Sequence, residues 1–163
     1  MNFFQLKEWL RYRSRAKGRH GTHSPFVYRM VETALMPDLP EDVLDALRKK
    51  SDSRYRFGQA ATLFRCELFL SQEAEDAGQT CIERLRAAIN YQKEDVMQKL
   101  SVLRNGCCLI LPDIHETPDT VALWAALCAD RRVNLSIDLW YIGLLFFKED
   151  FKAKQHFVLR CRE

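Results

Sequence analysis

Apolar positions are spaced three and four residues apart through the first part of the chain and then close up into unbroken runs. Phe3, Leu6 and Leu10 form one stripe, widened by Trp9, which predicts an amphipathic helix over 3–17. The stripe is expected to pack on the protein's own core rather than lie on a membrane. Gly18 and Gly21 break that helix. Ser24 and Pro25 read as the N-cap and first residue of a second helix, reaching about Leu35, with Phe26 packed inward. "MPDLP" is a turn, Glu41 opens a third helix to about Lys50, and Ala60, Leu63, Phe64 and Leu68 place a fourth over 57–74. The polar "EAEDAGQT" reads as a loop. Residues 81–90 fit helix and strand equally, and 92–104 carry Val96, Leu100 and Leu103 on one helical face, stopped by Gly106.

The last third has a different texture. "CCLILPD" is a continuous apolar run ending in a Pro-Asp turn, so 107–112 reads as a central strand buried on both faces. The adjacent Cys107 and Cys108 should then point to opposite faces. "TPDTVALWAALCAD" follows as a helix with Thr117 as N-cap and Pro118 first. "VNLSIDLW", "GLLFF" and "HFVLRC" are three β-like runs, the first two an antiparallel pair over 133–148. The fold class is α/β, reduced and α+β-like: an N-terminal helical layer (1–75) on a short mixed sheet (76–163), one domain over 1–163.

Composition narrows the classes. The chain has 163 residues, 47% hydrophobic and 29% charged, which suits one globular domain with its own core. No apolar run is long enough to span a bilayer, and the start reaches charge too soon for a secretory signal, so a cytoplasmic protein is expected. The six cysteines form no C-x-x-C pair, which argues against a zinc ribbon and for free buried thiols. The net charge of +3 is too small to imply nucleic acid by itself. It is uneven, however: Lys7, Arg11, Arg13, Arg15, Lys17, Arg19 and Arg29 stand against Glu8 alone over 1–29. Arg11, Arg15 and Arg19, four apart, read most simply as a solvated face, and nucleic acid is not the expected partner.

Two places could carry chemistry. In "RHGTHSPF", Arg19, His20 and His23 could hold a phosphate or substrate, although a helix-to-helix hinge tied by imidazoles explains the same residues. Asp113 and His115 follow the buried strand, where open α/β sheets place ligands. They are the candidate catalytic pair, against a plain strand-to-helix turn in which Asp113 caps backbone amides. No cofactor-binding or metal-ligating residues stand out.

"CCLILPDIHE" resembles the late strand and acidic turn of class I S-adenosylmethionine-dependent methyltransferases, and "VNLSIDLWYIGLLFFKED" their closing antiparallel pair. "RAKGRHGTHSPFVYRMVE" is similar to the N-terminal helical extension of a Bacteroidetes-type group of that family, "YRFGQAATLFRCELF" to the helix before its first strand, and "INYQKEDVMQKL" to a worn Asp-Gly-Asn-His stretch. The resemblance implies a Rossmann-like fold and, in intact relatives, S-adenosylmethionine bound over a Gly-rich loop. No two of the six glycines here form G-x-G, and no apolar strand lies between Leu70 and Cys81. The expectation is therefore a truncated, non-catalytic homologue, without cofactor, acting as an interaction or structural protein. An enzyme with a rebuilt or dimer-completed cofactor site and a basic nucleic-acid adaptor are the alternatives. A homodimer is expected, because loss of the first strands would uncover the edge near 81–90.

Overall fold

A strand with no polar side chain must be covered on both faces, and the chain is organised around one. The structure, a computed structural model, describes residues 2–18, 23–77, 81–84, 96, 107–147 and 153–162. Strand β2 (Cys107–Pro112) lies within a mixed sheet that also contains β1 (Cys81–Arg84), β3 (Leu135–Asp138), β4 (Ile142–Phe147) and β5 (Gln155–Val158). The order is β1-β2-β4-β3-β5. β1 runs parallel to β2 and β5 parallel to β3, while β4 is antiparallel to both of its neighbours, β2 and β3. The expected antiparallel pair is the β3–β4 hairpin.

Cys107 and Cys108 do part to opposite faces. Cys108 and Ile110 join one core with Val27, Met30, Cys66, Phe69, Leu70 and Leu144. Cys107, Leu109 and Leu111 join the other with Val96, Leu123, Trp124 and Leu127. The first core is roofed by helices α2 (Pro25–Met30, continued as one π turn over Val31–Leu35) and α4 (Arg54–Ala77), with α3 (Glu41–Lys50) packed on α4. The second is roofed by α5 (Pro118–Ala129). Helices therefore cover both faces, which is an α/β arrangement rather than one layer on a sheet. Thr117 caps α5 as expected, accepting the Thr120 N–H at 3.2 Å. Ser24 occupies the N-cap of α2 but makes no side-chain cap bond. Phe26 does pack inward, edge-on to Phe69 and Phe146 at 5.4 and 5.2 Å. The wide turn after α2 leaves carbonyls open, and the buried Arg65 closes it by donating Nη1 to Ala34 and Pro37 at 2.9 and 2.6 Å.

Two expectations are corrected, for α4 and for the N-terminal helix, and one left open, for 81–90, is settled in part. α4 continues to Ala77, so the polar stretch from Glu73 begins as helix rather than loop; Arg29 pairs with Glu73 at 2.7 Å and holds that turn to α2. Residues 81–84 are strand, paired with β2, while 85–90 and most of the expected helix 92–104 lie outside the described residues. Helix α1 (Phe3–Arg15) forms where expected but buries the opposite face. Glu8, Tyr12 and the following Ala16, four apart, are buried, whereas Phe3, Leu6 and Leu10 face outward. The inner face wins because it meets Trp140 and the ends of three strands.

The close approach at Gly143 is testable. A Cβ there would lie 2.5 Å from the Trp124 indole, which is buried and cannot withdraw. Gly143→Ala should overpack the α5 face and destabilise the fold by about 1–3 kcal/mol, read from the urea midpoint.

Candidate functional site at the carboxyl ends of the strands

The carboxyl ends of β2, β3 and β5 lie at one end of the sheet under α1, with the start of β4 between β2 and β3. After β5, Leu159 accepts from the Tyr12 hydroxyl, and Lys17 pairs with Leu159 as a parallel bridge. After β3, Trp140 packs against Tyr12 with ring centroids 5.6 Å apart. After β2 come Asp113 and His115, both buried.

His115 is held by one ring nitrogen and one ring face. Its Nε2 is 2.8 Å from Asp138 Oδ2, and its ring stacks on Trp140 at 4.9 Å and 17°. Asp138 Oδ1 accepts the Trp140 N–H at 2.9 Å, fixing a tryptophan whose φ is 70°. With Nε2–H donating to Asp138, Nδ1 faces the Glu8 carboxylate at 3.8 Å, too far for a hydrogen bond, and it has no partner among the described residues. Glu8 itself accepts from Arg11 Nη1 at 2.8 Å. The arrangement orients an imidazole as a base would need, but the space in front of it belongs to Glu8 and Tyr12. Burial, then the charge of Asp138, pushes the Tyr12 phenol far above its ordinary range.

Asp113 lies two residues away and is engaged quite differently. Its φ is 58°, its backbone N–H donates to Tyr141 at 2.9 Å, and its carboxylate accepts from Tyr55, Arg56 and Gln59 of α4 at 3.0, 3.2 and 2.8 Å. It clasps α4 to the end of β2 instead of capping backbone amides. Asp113 and His115 thus share a turn without sharing a side-chain partner.

Two openings flank His115. A cavity of about 280 Å³ is lined by Glu8, Arg15, His115, Trp124, Cys128 and His156, among others. A wider cleft of about 540 Å³ runs between α1 and α4, walled by Trp9, Tyr55, Trp140 and Tyr141. Burial pushes the Cys128 thiol up to about 11, so it stays protonated and weakly nucleophilic at neutral pH. His156 Nδ1 lies 2.8 Å from Ser136 Oγ, and desolvation lowers its pKa.

Of the sequence candidates, Arg19 and His20 lie outside the described residues, and His23 is exposed. Arg11 is no plain solvated charge: it is bound to Glu8 and helps line the smaller cavity. The sequence reading missed Glu8, Tyr12, Asp138 and Trp140. One signal was available, since Glu8 is the lone acid among the cations of 1–29. No family model matches the chain, and no curated protein or solved structure matches it either.

The clasp can be measured. Asp113→Ala removes the carboxylate that accepts from three side-chain donors and places alanine at positive φ, so it should lose about 2–4 kcal/mol in chemical denaturation. Asp113→Asn keeps an acceptor and tolerates that φ, so it should lose roughly half as much.

Proposed function

We propose that this chain is a methyltransferase-like α/β domain that no longer transfers methyl groups and works by binding a partner. The observation that carries the reading is α1 itself. In open α/β sheets ligands enter at the carboxyl ends of the strands. Here Glu8 and Tyr12 are buried at that place, beside His115, Asp138 and Trp140. The run from β2 through an acidic turn and α5 to an antiparallel pair supports the family resemblance.

S-adenosylmethionine does not fit the residues present. At the ends of β2, β3 and β5 the Tyr12 hydroxyl is tied to the Leu159 carbonyl and His115 to Asp138, and the sequence has no Gly-rich loop for the backbone to approach a cofactor. Titration calorimetry with S-adenosylmethionine and S-adenosylhomocysteine should give no binding heat. One-to-one micromolar binding would falsify the reading and favour an enzyme with a rebuilt site, for which the Asp138-oriented His115 beside the wider cleft is the best starting point.

The reading includes self-association. β1 stands at one end of the described sheet, and an edge strand is a template for pairing. A two-fold dimer through it would extend the sheet and bury more apolar surface. Sedimentation equilibrium should give a dimer mass at tens of micromolar chain; a strictly monomeric mass refutes this part.

A further inference from the structure

The outer face of α1 has an apolar centre and basic margins. Phe3 is 84% exposed, Leu10 56% and Leu6 40%, the reverse of what a core-packing stripe would show. At 3.6 residues per turn these three fall on one side of the helix, with Lys7 on one flank and Arg13 on the other, both exposed. Lys17, also exposed, follows the last turn. The helix's one acidic residue, Glu8, is buried on the opposite face. The stripe is not waiting to fold inward, because the inner face is already fixed through Tyr12, Ala16 and the Lys17–Leu159 bridge.

Charge decides what can cover such a ridge. A second copy is a poor occupant: two-fold pairing through this face brings Lys7 and Arg13 against their own counterparts, like against like. Nucleic acid would satisfy the cations and leave Leu6 and Leu10 without a partner. The complementary surface is apolar below and anionic above, and it must adapt to a convex helix rather than offer a groove to a projecting one. The interface of an anionic bilayer has both properties. Its acyl boundary takes the tips of Phe3, Leu6 and Leu10, while the long stems of Lys7, Arg13 and Lys17 reach the phosphates.

We propose that the outer face of α1 seats this protein on anionic lipid membranes, lying in the interface plane. The seat is peripheral, since no helix among the described residues is long and apolar enough to cross a membrane. It leaves the inner contacts of α1 in place.

Co-sedimentation with vesicles tests this, comparing phosphatidylcholine alone with phosphatidylcholine mixed with phosphatidylglycerol. The full chain should pellet with the mixed vesicles, bind the zwitterionic ones far less, and release as salt is raised. Leu10→Ser and Lys7→Glu should each weaken partitioning by about tenfold. Both side chains are exposed, so an unchanged unfolding midpoint will show that the variants are folded. A chain that stays in the supernatant with both vesicles overturns the proposal. So does equal pelleting of Leu10→Ser and the parent, or a dimer that Leu10→Ser dissociates.

Discussion

Strand β2 has an apolar side chain at every position, and that forces the rest of the architecture. Its side chains from Cys107 to Leu111 are buried alternately into two cores. Each fully buried aliphatic side chain contributes about 1.5–3 kcal/mol relative to exposure, so neither face can be left to water. Two helical layers follow, α2 and α4 on one side and α5 on the other. β4 supplies matching apolar pairs along the whole strand, from Phe147 opposite Cys107 to Ile142 opposite Pro112. Once the strand is fixed, the turn at its carboxyl end is fixed too. Pro112 has no N–H to continue the ladder, Asp113 takes positive φ, and His115 is delivered beside the end of β3.

This explains which features were legible in the sequence. The runs that became β2, β3 and β4 could be read because an unbroken apolar strand has few other places to go. The parting of Cys107 and Cys108 follows from the period of two, and the start of α5 from Thr117-Pro118, which acts through local backbone chemistry. α1 could not be read in the same way. Periodicity says that Phe3, Leu6 and Leu10 share a side; it does not say which side has partners. Tyr12 finds the Leu159 carbonyl, Ala16 lets the chain approach closely, and Trp140 covers both. Those partners lie more than a hundred residues downstream, beyond the reach of any local pattern. The clasp of Asp113 was hidden for the same reason, since Tyr55, Arg56 and Gln59 meet it only after α4 is laid along the sheet.

The polar cluster beneath α1 interrupts a largely apolar interior, as Arg65 and Asp113 do elsewhere. Burying Glu8, His115 and Asp138 together costs desolvation, and only good pairing offsets it. Asp138 is well paired, with His115 on one oxygen and the Trp140 N–H on the other. Glu8 has Arg11 on one oxygen and only a distant imidazole on the other. Such groups add little net stability, but they are sensitive to register: an apolar contact survives a small slide of α1, whereas these bonds do not.

The two faces of α1 are therefore held to different rules. Rotating the helix by half a turn would hide Phe3, Leu6 and Leu10. It would also carry Glu8 away from His115, break the Tyr12–Leu159 bond, and strain the bridge at Lys17. The loss would include stranded polar groups on the strand ends, each costing about 1–3 kcal/mol, and the burial of Tyr12 and Ala16, which offsets what burying Phe3, Leu6 and Leu10 would gain. Polar matching at the sheet thus fixes the rotation of the helix, and exposure of the stripe is its consequence. The contact that closes the crevice is the same contact that turns the apolar, basic-edged ridge outward.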